Sequence, residues 1–193
     1  MNRNRKVLIL AESALCVAVA MVLSLFTLFK MPMGGSITPF ATLPIIVISL
    51  RHGLKWGVAT ALVYSLTQLL LGISNLTFVP VQNVWNLFLC ALLDYVLAYS
   101  VLGFAGVIAH RFSFSVTGLS VGVILTGLGR LASSVLSGVI VWAPYAPEGW
   151  NIWYYSLAYN ASWCLPDVAI TLAACLLLSR IPALDLFPSR TEA

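Results

Sequence analysis

The sequence predicts an all-α integral membrane protein, a bundle of six transmembrane helices in one membrane domain over residues 1–193, with both termini cytoplasmic. Three observations carry that expectation. The 193 residues are 61% hydrophobic with a mean hydropathy of +0.99. Only 8% are charged, against about 25% in a soluble domain. The basic residues also fall on one side of a series of apolar runs. No small-residue cleavage site follows the first run, so it reads as a span and not as a cleaved leader. The net charge of +4 therefore speaks to topology, and no nucleic-acid partner is expected.

A helix crossing the hydrocarbon needs about 20 apolar residues. The first span, 7–29, follows Arg3, Arg5 and Lys6 and carries Glu12 about one turn inside its start. Its Ala14 and Ala18 are a small-xxx-small pair, the spacing that lets another helix approach closely in lipid. Gly34 and Gly35, after Met31-Pro32, read as a mobile turn. The second span, 38–50, is short and holds Pro39 and Pro44, so a kink or a start inside the membrane boundary is expected. Arg51 and Lys55 mark the turn into the third span, 54–72. The fourth, 81–109, is long enough to include a lead-in after Pro80. The fifth, 116–142, carries Gly118 and Gly122, expected to pack within the molecule, and the sixth is 153–180. Arg3, Arg5, Lys6, Arg51, Lys55, Arg111, Arg180 and Arg190 then lie on one side, with only Lys30 opposite and Glu148 in the last outer loop. The excess of basic residues marks the cytoplasmic side.

Several chemistries find no footing. Cys16, Cys90, Cys164 and Cys175 lie in apolar runs without a CxxC, as packing thiols do. No GxxxxGK[ST] phosphate loop occurs. His52 and His110 sit beside Arg51 and Arg111 at the inner boundary, where solvated side chains are expected. No Ser-His-Asp or Cys-His set can be assembled. We expect neither an enzyme nor a resident cofactor or metal.

Two features ask for a function. Asp94, Arg130 and Asp167 each lie near the middle of a span, where a charge costs roughly 2.5–3.5 kcal/mol to insert. Either an Asp–Arg pair ties helices together, or one Asp neutralises Arg130 and the other meets a ligand. The three formal charges sum to −1, which suits a monocation. Between residues 142 and 159 the chain also concentrates Trp142, Tyr145, Trp150, Trp153, Tyr154, Tyr155 and Tyr159. An interfacial belt accounts for such aromatics; so does the wall of a pocket for a flat organic cation. Asn160, Trp163, Cys164 and Asp167 share a helix face at offsets of three, four and seven.

At these residues the chain resembles the thiamine-specific substrate-binding (S) components of energy-coupling factor (ECF) transporters, the ThiT or YuaJ type. "KMPMGGSITPF" and "LPIIVISLRHGLKWG" are similar to that family's first outer loop and second helix. "PVQNVWNLFLCALLDYVLAY" is similar to its fourth helix, and "GRLASSVLSGVIVWAPYAPEGWNIWYYSLAYNASWCLP" to its fifth and sixth. The resemblance implies a six-helix S-component bundle in a prokaryotic plasma membrane. It would capture thiamine or a related aminopyrimidine outside and work with a coupling membrane subunit and a pair of ATPases in the lipid bilayer. It places the acidic residue that binds the aminopyrimidine on Asp94 beside Tyr95, the stacking aromatic on Trp142, and the sixth-helix Tyr and Asn on Tyr155 and Asn160. The family's basic residue lands on Arg130. Ala14 and Ala18 would dock the coupling subunit, and Gly34 and Gly35 would belong to a lid.

Two positions depart from the pattern. Ser134 stands where the family carries a His, and Asp167 is an acidic residue it does not have; both are counted with the ligand-binding residues, Asp167 either compensating Arg130 or reading a ligand group. The readings left open are a thiamine precursor or another small cationic vitamin on the same fold, and a stand-alone proton-coupled carrier using Asp94 or Asp167.

Overall fold

The computed structural model describes residues 3–112, 115–181 and 186; the basic residue Arg190 lies outside them. Among the described residues, five helical stretches are long and apolar enough to cross a membrane: α1 (Arg3–Ser24), α2 (Leu43–Leu71), α3 (Val84–Arg111), α4 (Val116–Ile140) and α5 (Ile152–Leu178). Between α1 and α2 a small antiparallel hairpin pairs β1 (Phe29–Lys30) with β2 (Ser36–Ile37). Short 3-10 turns at Ile73–Phe78 and Ala143–Tyr145 lead out of α2 and α4. Helix starts follow local chemistry. Asn83, Ser115 and Asn151 each accept backbone N–H groups of the first turn they precede, satisfying donors that have no partner within the helix.

The expected second and third spans are two helices that meet end to end at a sharp kink and share the label α2. Gly53, at φ 74° and ψ −168°, breaks the helical path inside α2, a conformation that a side chain disfavours and glycine accepts. Leu43 to His52 rises only about 15 Å, half the hydrocarbon thickness of about 30 Å, in keeping with a short second helix. The prolines are not the cause. Pro44 sits in the first turn of α2, where its missing N–H costs nothing, and Pro39 precedes the helix. The bend is tied to α1: Arg51 Nη1 and His52 Nε2 both reach the Glu12 carboxylate, the latter at 2.8 Å.

Small residues and hydroxyls join the helices. Ser49 of α2 donates to Gly103 O at 2.6 Å and accepts the Gly106 N–H at 2.9 Å. A Cβ on Gly106 would stand 1.9 Å from Ser49 O. Gly118 and Gly122 bring α4 onto α3 as expected, since a Cβ there would fall 2.4 Å from Ala109 O and 2.6 Å from Ala105 O. Ile45, Ile46, Tyr64, Leu102, Leu119 and Val123 fill the space between α2, α3 and α4. Without a hydrophobic drive between helices in lipid, such close backbone approach and hydrogen bonding supply the association. The result holds α3, α4 and α5 around a cavity that the hairpin covers.

Candidate functional site

Within α3, residues Ala91–Leu97 form a π-helical segment, with the turn widened from four residues to five. Such segments are rare and often mark functional sites. The widening lets Asp94 and Tyr99, five residues apart, both face the same cavity. Three donors converge on one oxygen of Asp94. Ser137 Oγ reaches Oδ2 at 2.6 Å, Trp142 Nε1 at 3.1 Å and Cys90 Sγ at 3.4 Å. None of the three takes Oδ1, and among the described residues Asp94 belongs to no ion pair. The carboxylate is thus oriented from one side and able to accept from the other.

The cavity is about 350 Å³, at the lower end of the few-hundred to thousand Å³ usual for small-molecule sites. The hairpin, the outer ends of α1 and α2, and α3, α4 and α5 line it. Of the expected site residues, Asp94, Tyr95, Arg130, Ser134, Trp142, Tyr155, Asn160, Gly34 and Gly35 all line it. Trp142 lies just beyond the end of α4, not within the span where it was expected. Its ring tilts 30° to that of Tyr145 with centroids 6.1 Å apart, and its N–H holds Asp94. Tyr95 is a tether as well as a wall. Its hydroxyl donates to Gly72 O at 3.1 Å and accepts from Asn75 Nδ2 at 3.3 Å. Asn160 donates to Ser156 O at 2.9 Å and Ser134 O at 3.3 Å. Those two bonds use both its amide hydrogens and leave Oδ1 as the acceptor.

Asp167 does not line the cavity. It stands behind Arg130 and accepts Nη1 at 2.7 Å, with both side chains buried. Asp167 is thus the carboxylate that pairs with Arg130, one of the two roles the sequence leaves open for it. Arg130 also donates from Nη2 to Tyr99 OH at 3.3 Å. Its guanidinium carbon lies 4.7 Å from the Tyr99 ring centroid and 5.0 Å from that of Trp163. Ala14 and Ala18 are elsewhere, on the exposed face of α1.

The hairpin is seated on this cavity. Tyr159 OH accepts the Met33 N–H at 3.1 Å and donates to Gly34 O at 3.0 Å. Gly35, at φ 82°, lies so close that a Cβ would stand 2.6 Å from Trp163 Nε1. Sequence reasoning missed the parts played by Ser137 and Tyr99 and placed Tyr159 only within an aromatic cluster. Ser137 was findable as a hydroxyl one turn from Ser134 on the Arg130 helix. Tyr99 was not, because a regular helix turns it away from Asp94.

The cavity thus offers a carboxylate oxygen open beside an indole and an amide oxygen, with Lys30 and the Asp167-paired Arg130 as its lining cations. The comparisons with known proteins agree in kind. The family model described as Thiamine transporter protein (Thia_YuaJ) matches residues 10–184. Thiamine transporter ThiT of Bacillus subtilis (strain 168) is 32% identical over 196 aligned positions, covering 95% of this chain and 97% of that protein. Thiamine transporter ThiT of Lacticaseibacillus paracasei is 26% identical, covering 89% and 87%. A solved structure of ThiT from Listeria monocytogenes superposes with a TM-score of 0.74 at 27% identity, covering 95% of this chain and all of that one. This chain is a multi-pass membrane protein that belongs to the thiamine transporter (Thia_YuaJ) family.

Proposed function

We propose that this chain binds thiamine from the outer side of the membrane and serves as the substrate-binding component of an ATP-driven ECF importer. One observation carries the reading: the Asp94 carboxylate, held on Oδ2 by Ser137, Trp142 and Cys90, keeps Oδ1 for a ligand inside a covered cavity. Thiamine joins an aminopyrimidine, which offers N–H donors and a flat face, to a thiazolium cation. Asp94 accepts from the amino group or faces the cation. Trp142 and Tyr155 give the rings a surface, and Asn160 Oδ1 accepts a further hydrogen. Aromatic faces and a carboxylate outside any ion pair among the described residues can hold an organic cation, with Lys30 and the paired Arg130 as the other charged lining residues. Seating the hairpin excludes water, which strengthens each of these contacts. The names of the relatives support the same ligand.

Uptake then needs a coupling membrane subunit and a pair of ATPases. The exposed small residues Ala14 and Ala18 on α1 give such a subunit a surface for close helix contact. Reconstitution separates this from a proton-coupled carrier. The chain alone in vesicles binds thiamine but does not accumulate it under a pH gradient. With the coupling subunit, the ATPases and ATP it does accumulate it. Accumulation by the chain alone would overturn the proposal.

A further inference from the structure

Asp167 is 1% exposed, away from the cavity, and its two oxygens serve two different parts of the molecule. Oδ2 accepts Arg130 Nη1 at 2.7 Å, and Oδ1 accepts the backbone N–H of Thr38 at 3.3 Å. Thr38, itself buried, directly follows β2 and is the root of the hairpin that covers the cavity. One turn further along both segments, the Thr42 and Thr171 hydroxyls meet at 3.0 Å. On the other side Arg130 lines the cavity, and its buried Nε finds no acceptor among the described residues. Buried donors are rarely left this way; Nε itself is closed to solvent, so a ligand meets Arg130 only through the part of the side chain that lines the cavity.

We infer that Asp167 is a positioning residue that links the ligand's contact with Arg130 to the seating of the 29–37 hairpin. The inference rests on the ligand-binding reading above. A guanidinium is a planar fork. A ligand packed against it restricts its plane, which fixes the direction of Nη1, which fixes the carboxylate that holds Thr38. Stability alone does not call for the pair, because a buried ion pair contributes little more than a well-packed apolar one. Bridging two elements is what the carboxylate adds. Linkage is reciprocal: a ligand that steadies Arg130 steadies the hairpin, and a seated hairpin slows release of the ligand.

Asp167→Asn breaks the bridge without changing its shape. An amide has one acceptor oxygen for two donors, so either Arg130 Nη1 or the Thr38 N–H must face an NH₂ group. The double variant Arg130→Gln/Asp167→Leu removes both acceptor oxygens from the bridge and leaves no unpaired buried charge. Two readouts separate positioning from plain stability. In ligand-free protein, amide hydrogen exchange over residues 29–38 should quicken at least tenfold in both variants, with α4 amides unchanged. In stopped-flow fluorescence, thiamine should leave Asp167→Asn at least tenfold faster, with the association rate within threefold of the parent. Parent-like hairpin exchange and release in a folded variant would overturn the inference. So would exchange rising equally along α4 and α5, or loss of fold in both variants, which would assign Asp167 to stability alone. If thiamine does not bind the parent protein, the ligand reading fails, and hairpin exchange still decides the structural half of the inference.

Discussion

Replacing Asp94 by Asn changes one atom's chemistry and almost nothing else. The amide oxygen can take the place of Oδ2 and keep the Ser137 and Trp142 donors, now 2.6 and 3.1 Å away. The NH₂ group then occupies the position of Oδ1, where the ligand should present its own hydrogens or positive charge. A hydrogen bond to a charged partner contributes roughly 1.5–3 kcal/mol, and each 1.4 kcal/mol is about tenfold in affinity. The dissociation constant for thiamine should therefore rise by about 10- to 150-fold. Melting temperature should change little, because the internal bonds of the site survive. Isothermal titration of purified parent and variant, with a thermal melt of each, reads both numbers. Affinity within threefold of the parent, in a variant that melts normally, would remove Asp94 from the ligand and refute the charge argument.

Other outcomes follow from the same geometry. Trp142→Ala removes a cavity wall and one of the donors orienting Asp94; thiamine affinity should fall at least tenfold by fluorescence or calorimetry, and parent-like binding would exclude the stacking role. Tyr159→Phe deletes both hydrogen bonds that hold Met33 and Gly34, so thiamine should dissociate several-fold faster with association unchanged; equal release rates would show the hairpin is held by other means. Gly106→Ala puts a Cβ 1.9 Å from Ser49 O and should cost about 1–3 kcal/mol as overpacking does, seen as a lower melting temperature in detergent; an unchanged melt would contradict the close α2–α3 contact. Ala18→Trp, on the exposed face of α1, should leave thiamine binding within twofold and abolish ATP-driven uptake in vesicles containing the coupling subunit and ATPases. Normal uptake would place the docking surface elsewhere.

Much of this architecture can be read from residues, and the limits have physical causes. Apolar length and the placement of basic residues locate α1, α3, α4 and α5 to within a few positions, because the bilayer sets the length and topology sets the charge. The break near residues 51–55 is visible as a pair of cations, but its mechanism is not. A single Gly53 joins the two helices of α2 at a kink, while the more conspicuous prolines 39 and 44 sit where they do no harm. The cost of intramembrane charge picks out Asp94, Arg130 and Asp167. It cannot say which aspartate faces Arg130, because that depends on the relative rotation of three helices. The π-helical turn at Ala91–Leu97 leaves no periodic signature, so Tyr99 and the Asp94–Trp142 bond emerge only from coordinates.

Tryptophan fluorescence of the purified protein, followed while thiamine is added, bears on all of this at once. Trp142 and Trp163 both line the cavity, so a cationic ring seated there must alter their emission. The proposed site predicts saturable quenching at submicromolar thiamine that is weakened at least tenfold in Asp94→Asn. A folded protein whose emission does not respond to thiamine, or responds equally with and without the Asp94 carboxylate, would contradict it.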